Sequence, residues 1–184
     1  MAYYDLWLFE AERQVGWTKL KPSPAFLEAV KGAYCVVAHM PARHRVRVGS
    51  LGICEFDPGV YVYVGSAQKG IEPRVMRHAS KGKKMRWHID YLMAHAEVLS
   101  VIAVPCSSKD VECSIARAVS SSEGATVPVK GFGSSDCRCE SHLMYFGDSD
   151  PEWVSETVSM ALSMLECVYP RVPGKRPWHR SSGE

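Results

Sequence analysis

The sequence lacks several features that would assign it to a familiar class of protein. It has no run of about 18 consecutive apolar residues, so we expect no membrane-spanning helix and no membrane partner. The first residues have neither a basic segment nor a long apolar core, and so do not resemble a secretory signal peptide. There is no internal repeat and no long low-complexity segment. An apolar content of 46% over 184 residues instead predicts one packed domain with extra segments.

The cysteine content points away from a disulfide framework. Seven cysteines are an odd number, and they occur in a chain without a recognisable secretory signal. Disulfide-rich scaffolds belong to secreted proteins, whereas cytosolic thiols are kept reduced. We therefore expect a cytoplasmic protein with reduced cysteines.

The net charge of +2 conceals a local concentration of basic residues. Between residues 69 and 88 the only acid is Glu72. The cations there are Lys69, Arg74, Arg77, Lys81, Lys83, Lys84 and Arg86. A basic stripe on a nearly neutral protein is typical of proteins that contact phosphates, although a solvated surface loop explains the charge run alone equally well.

Apolar and alternating segments predict an α+β fold. Strands are predicted at 34–40, 45–48, 53–56, 60–64, 98–104 and 142–146. Helices are predicted at 73–80, at 86–96, from a serine cap at 107 or 108 to 119, and at 151–168. The predicted organisation is an N-terminal arm (1–31), a core domain (32–147), a C-terminal helix (148–169) and a basic, disordered tail (170–184).

Two short tyrosine–glycine motifs are the most informative feature of the chain. Gly32-Ala33-Tyr34 opens an apolar strand, and Tyr63-Val64-Gly65 closes another. A tyrosine in a strand commonly does no more than pack a sheet. Tyr61 and Tyr63 point to one face of their strand, however, and Gly65 leads directly into the basic helix. A phenol at that edge can relay a proton from water or position the water for attack.

The basic helix places an arginine and a histidine on one face. Arg74 and His78 are four residues apart, with Arg77 one step round the helix. Arginine binds phosphate bidentately and stabilises the charge of a pentavalent transition state. Three roles are open for His88: contact with phosphate, orientation of a partner, or a hydrogen bond within the structure. The structural role is the commonest for a histidine. The candidate nucleic-acid-binding residues are Arg77, Lys81, Lys83, Lys84, Arg86 and His88.

Two further segments offer metal ligands. Glu112 is a lone carboxylate in the third helix, and Mg²⁺ is often held by one or two carboxylates with several waters. A solvent-facing glutamate is the alternative.

The segment 131–142 is rich in glycine, serine and cysteine. Cys137, Cys139 and His142, with Cys113 or His88 as the fourth ligand, would make a tetrahedral zinc site. Only one pair of ligands has short spacing, so zinc is a secondary hypothesis. The alternative is a buried polar loop whose thiols and Asp136 form the rim of a site.

This ordered series of motifs resembles the DUF123 family of the GIY-YIG nuclease superfamily. The resemblance runs from about Gly32 to Gly147 and leaves the arm and the C-terminal helix outside it. Besides the tyrosine motifs it includes 74–78, 87–92, 112–113 and 131–143. It implies a small antiparallel sheet flanked by helices. Because residues 35 to 62 exceed the short hairpin usual between the two tyrosines, we expect an extra strand near 45–56.

The resemblance also implies roles for single residues. Tyr34 and Tyr63 would be the active-site tyrosines, one of them assisting the attacking water as general base. Arg74 would hold the scissile phosphate with support from His78, and Glu112 would be the single ligand of Mg²⁺ or Mn²⁺.

We therefore expect a metal-dependent endonuclease that hydrolyses phosphodiester bonds in DNA rather than RNA. Its role would be in repair or processing of non-standard DNA, beside a DNA-repair protein. The alternatives are a non-catalytic nucleic-acid-binding module and a zinc-stabilised structural or interaction domain.

Overall fold

A five-stranded antiparallel sheet forms the centre of the molecule. The computed structural model describes residues 7–10, 31–105 and 110–165. In this part of the chain the strand order is β1-β6-β2-β5-β7, and β3 and β4 form a separate hairpin. The strands are β1 (Trp7–Glu10), β2 (Gly32–Met40), β3 (His44–Arg47), β4 (Ile53–Phe56), β5 (Gly59–Ala67), β6 (Glu97–Pro105) and β7 (Leu143–Tyr145). The prediction of an α+β fold with a small antiparallel sheet flanked by helices is confirmed.

Helices cover both faces of this sheet. They are α1 (Ile71–Ala79), α2 (His88–Leu92), α3 (Asp110–Ser120) and α4 (Pro151–Ser163). On one face, Val75 of α1 and Leu92 of α2 pack in the same core as Val36. On the other face, Ile115 of α3 and Val158 of α4 pack with Val37. Because neighbouring residues of a strand point to opposite faces, a strand covered on both sides is apolar along most of its length, as β2 and β5 are.

The hairpin β3–β4 occupies the long segment between the two tyrosine motifs. Its register pairs His44 with Phe56 and Arg47 with Ile53. The expected extra β-structure is therefore present as two strands, which form a small sheet of their own. Phe56 is fully buried against the core that contains Tyr61 and Phe132.

The structure differs from the sequence prediction in where several helices and strands lie, begin or end. Trp7–Glu10, within the predicted arm, form a strand paired with β6; an apolar run this short does not distinguish strand from helix. The predicted helix 86–96 is limited to α2. Its start is set by the Asp90 carboxylate, which accepts hydrogen bonds from the backbone N–H groups of Arg86 and Trp87. The predicted cap at 107 or 108 and the tail from 170 lie outside the described residues. No helix in the described ranges is both long and apolar enough to cross a membrane.

Candidate functional site

The glycine of the second motif makes room for the tyrosine of the first. Tyr34 in β2 pairs directly with Gly65 in β5. A Cβ atom at Gly65 would lie 2.6 Å from the Tyr34 hydroxyl and 2.7 Å from its Cζ. Glycine is therefore required there for the phenol ring to lie across β5. Tyr63 is two residues from Gly65, so the two phenols share one face of the sheet.

The second phenol is confined by another glycine. Gly133 has φ +75°, and a Cβ there would lie 3.0 Å from Tyr63 Cε2 and 3.0 Å from His142 Cβ. The sequence assigned Gly133 no role of its own. Its signal was the glycine-rich composition of the loop, which does not show that the loop passes over Tyr63.

His78 is the direct partner of Tyr34. The Tyr34 hydroxyl lies 2.7 Å from His78 Nε2, and each side chain is 1% exposed. The other ring nitrogen, Nδ1, is 3.8 Å from Asp90 Oδ1. That distance is beyond a hydrogen bond but favours a proton on Nδ1, which leaves Nε2 as the acceptor for Tyr34.

Burial sets the protonation state of these groups. It raises the pKa of Tyr34 and of Tyr63 well above the ordinary phenol value, with Glu112 acting in the same direction and Arg74 opposing it. Burial also lowers the pKa of His78, against the raising effect of Asp90. At neutral pH the phenols are therefore protonated and the imidazole is neutral, so Tyr34 donates its hydrogen bond to His78.

Asp90 is the anionic centre beneath α1. Burial raises the pKa of Asp90, but His78, Arg77 and two backbone N–H donors outweigh it and hold the pKa far below its usual value. Arg77 Nη1 lies 2.7 Å from Asp90 Oδ1, and its Nη2 donates to the carbonyl of Lys84. Lys83 Nζ is 3.6 Å from the same oxygen and donates to the carbonyls of Arg77 and His78.

The basic run is therefore divided between two environments. Arg77 and Lys83, which the sequence placed among the nucleic-acid-binding residues, are engaged with Asp90 and with the end of α1. Lys81, Lys84 and Arg86 are exposed, as a phosphate-contacting surface requires. Charge alone could not separate the groups, because Asp90 reaches α1 only in the folded chain.

Arg74 lies over an aromatic ring beside the phenols. Its guanidinium carbon is 4.0 Å from the Trp87 ring centroid, and that of Arg77 is 4.3 Å from the same centroid. Both distances are within the range of a cation–π contact. Trp87 was given no role from the sequence, although a partly exposed tryptophan beside a basic run is a recognisable signal. It limits the positions available to the Arg74 side chain.

Four of the predicted site residues are thus close together in space. We call this group the tyrosine face, and its members are Tyr34, Tyr63, Arg74 and His78. Glu112 is within electrostatic reach of both phenols. Its Oε1 lies 3.1 Å from His142 Nδ1, so the predicted magnesium ligand also holds a buried histidine. Burial lowers the pKa of His142, but Glu112 and Cys137 outweigh it and raise the pKa above its usual value.

His88 makes a structural contact. Its Nδ1 accepts a hydrogen bond of 3.0 Å from the backbone N–H of Gly133, and its ring packs against Phe132. It fastens α2 to the loop that confines Tyr63. His88 is also not the fourth member of the predicted zinc set, because Cys113 occupies that place.

Four potential metal ligands meet beside Glu112. Each of them offers one ligand atom, and these four atoms lie within 4.8 Å of one another. We call this group the cysteine cluster, and its members are Cys113, Cys137, Cys139 and His142. Cys113 comes from α3, and the other three come from the segment 131–142. This group could hold a metal ion. Asp136, the other predicted rim residue, is exposed.

The fold and the site define an α+β protein with a phenol–histidine–arginine group on one face of its sheet and a thiol-rich cluster nearby. Residues 33–164 match the family described as domain of unknown function DUF123. The chain belongs to this family. The match continues through α4, beyond the end at 147 that the motifs had indicated. No curated protein and no solved structure matches the chain.

Proposed function

We propose that the protein is an endonuclease that uses a divalent cation to hydrolyse phosphodiester bonds in DNA. The observation that carries this proposal is the convergence of Tyr34, Tyr63, Arg74, His78 and Glu112, which β2, β5, α1 and α3 supply. A phosphodiesterase needs a cation for the phosphate, a proton acceptor for the water and charge stabilisation at the leaving oxygen. The convergence supplies a candidate for each.

The tyrosine face provides a path for the proton. The proton leaves the attacking water for the Tyr34 oxygen while the phenol passes its own proton to His78 Nε2. The water oxygen forms a bond to phosphorus, the bond to the leaving oxygen breaks, and that oxygen takes a proton from solvent. The 2.7 Å contact and the neutral state of His78 support this order of transfers. Tyr63, beside Tyr34 and within reach of Glu112, orients the water.

Arg74 and Glu112 provide the charges. Arg74 reaches both phenols electrostatically and is held over Trp87, so it is suited to contact the scissile phosphate. Glu112 fits as a ligand of Mg²⁺ or Mn²⁺, which are commonly held by one or two carboxylates and the substrate phosphate. When bound, the ion would supply positive charge for the leaving oxygen.

A cleavage assay tests this proposal. The purified chain is incubated with labelled duplex, single-stranded, flap and abasic DNA in the presence of Mg²⁺ or Mn²⁺. We expect Arg74→Ala to lower the cleavage rate by about 10²- to 10³-fold, because it removes charge stabilisation at the phosphate. Lys84→Ala, which removes one exposed charge from the same basic run, is the matched control and should stay within a few-fold of wild type.

The same assay separates the main alternative. If wild type cleaves none of these substrates yet binds them with an affinity that falls as salt rises, the chain is a nucleic-acid-binding module. In that case Arg74→Ala and Lys84→Ala should weaken binding to similar extents.

A further inference from the structure

The cysteine cluster has the composition of a structural metal site. Its three thiols and one imidazole form a Cys₃His set, in which Cys137 Sγ lies 3.4 Å from His142 Nε2. Cys113, Cys137 and Cys139 are free thiols in the structure. Soft thiolate ligands favour zinc, whereas Mg²⁺ and Mn²⁺ favour oxygen. The cluster is therefore chemically distinct from the site expected at Glu112.

The distances suit a tetrahedral ion. Bond lengths of about 2.1 Å to nitrogen and 2.3 Å to sulfur separate tetrahedral ligand atoms by about 3.6 to 3.8 Å. The cluster's atoms lie within 4.8 Å of one another, and its sulfur–nitrogen contact is 3.4 Å. Only small side-chain movements are needed to close the four atoms round one ion.

The histidine is already oriented for this role. His142 is 2% exposed, and its Nδ1 lies 3.1 Å from Glu112 Oε1, while Nε2 faces Cys137. A carboxylate that accepts from one ring nitrogen fixes the tautomer that presents the other nitrogen to a metal. Glu112 and Cys113 are adjacent on α3, so one turn of helix supplies both a ligand and the partner of another ligand.

We propose that the cysteine cluster binds one zinc ion, with Glu112 holding the ligand His142 from outside the coordination shell. The four protein ligands fill the tetrahedron, so the site is structural rather than catalytic. Zinc binding does not depend on the proposed nuclease activity. The consequence that zinc also positions Glu112 for catalysis does rest on it.

The surrounding chain explains why an ion is needed and how it enters. Residues 131–142 contain no helix or strand, and a few backbone bonds, such as Gly131 N–H to the Glu140 carbonyl, hold them together. Zinc would fasten this segment to α3. A surface pocket of about 240 Å³, lined by Cys113, Arg117, Arg138, Cys139 and Glu140, gives access to the cluster.

The test measures metal rather than cleavage. The full chain is purified under reducing conditions, its zinc content is determined by mass spectrometry, and Co²⁺ is added to chelator-treated protein. We expect about one zinc ion per wild-type chain and the intense thiolate-to-cobalt absorption of a tetrahedral site. Cys139→Ser should lose most of the zinc. Cys54→Ser, which changes a buried thiol of β4 outside the cluster, is the matched control and should retain it.

The second arm tests the part given to Glu112. Glu112→Gln should weaken zinc binding about 10- to 100-fold in a chelator competition, the usual effect of losing an outer carboxylate partner. Wild-type protein that takes up neither zinc nor Co²⁺, or that shows a disulfide within the cluster, overturns the proposal. Equal zinc affinity in wild type and Glu112→Gln removes Glu112 from it. Circular dichroism of each variant identifies any that fails to fold, and the wild-type measurement stands without them.

Discussion

The tyrosine face and the cysteine cluster are built in different ways. Tyr34 and Tyr63 lie on strands paired in continuous register, and His78 lies on a helix packed against them. Three members of the cysteine cluster lie in a segment without regular structure, and only Cys113 is on a helix. Backbone hydrogen bonds and packing fix the first group before any ligand arrives. The second group relies on its own contacts and, as proposed, on zinc.

The two sites are therefore expected to be disrupted by different changes. Side chains held by strand register move only if the sheet moves, whereas a loop fastened by a metal loses its arrangement when the metal leaves. Glu112 belongs to both regions, since it reaches the phenols and holds His142. It is therefore the residue at which the two regions are coupled.

The largest expected effect separates the two roles of Glu112. We predict that Glu112→Gln lowers DNA cleavage by about 10³-fold even in excess zinc, because a neutral amide is a weaker ligand than a carboxylate for the divalent cation that would stabilise the leaving oxygen. The measurement is the cleavage rate at increasing zinc concentration. The control is Glu140→Gln, which changes an exposed acid of the segment 131–142. Recovery of wild-type rate at saturating zinc would mean that Glu112 serves the cysteine cluster alone.

The next effect concerns the pH dependence of the tyrosine face. The pKa of His78 is lowered by burial from its ordinary value of 6.5, and its neutral form accepts the Tyr34 proton. We predict that the cleavage rate falls about tenfold per pH unit below this lowered pKa. The groups facing His78 are Tyr34, Tyr63, Arg74, Lys83 and Asp90.

The protonation of His78 should also make folding stability depend on pH. Between pH 6.5 and the lowered pKa the unfolded chain binds more protons at His78 than the folded chain does. The contribution of His78 to the free energy of unfolding should therefore be fully present above pH 6.5 and should be lost as the pH drops through this window. A pH titration of wild type and His78→Asn by urea unfolding and by cleavage checks both effects. If His78→Asn shows the same decline at acidic pH as wild type, the pH dependence belongs to another group.

The smallest effect tests the tyrosine face alone. Gly65→Ala places a methyl group 2.6 Å from the Tyr34 hydroxyl, so we predict a loss of about 1–3 kcal/mol in the free energy of unfolding. Cleavage should fall as Tyr34 leaves His78, and zinc content should stay unchanged. Ser66→Ala, at the next position of β5, should stay within about 0.5 kcal/mol of wild type. A loss of zinc in Gly65→Ala would show that the two regions are less separate than described.

The sequence predicted the parts of the fold that depend on local pattern. The strands β2, β4, β5 and β6 follow from apolar runs bounded by glycine and proline. Arg74 and His78 lie on one face of α1, as their spacing of four residues predicts. The start of α2 was predicted too early, because it depends on the Asp90 carboxylate accepting hydrogen bonds from the backbone N–H groups of Arg86 and Trp87.

The contacts between distant segments could not be predicted in the same way. The bonds from His142 to Glu112 and from Gly133 to His88 span 30 and 45 residues. Periodicity carries no information about such contacts. The ligand set of the cluster was open for this reason, since the fourth ligand depends on the position of α3 beside the loop. The composition of that loop identified three of the four members.

The strand lengths of the sheet have a consequence for the chain in crowded solution. The three nine-residue strands, β2, β5 and β6, lie inside the sheet, and the short strands β1 and β7 lie at its sides. Thr126 exchanges two backbone hydrogen bonds with Tyr145, which covers part of the outer side of β7. Unpaired strands invite pairing with other molecules, and short or covered ones offer little template. The longest strands of the described residues are thus kept from intermolecular pairing by their place in the strand order.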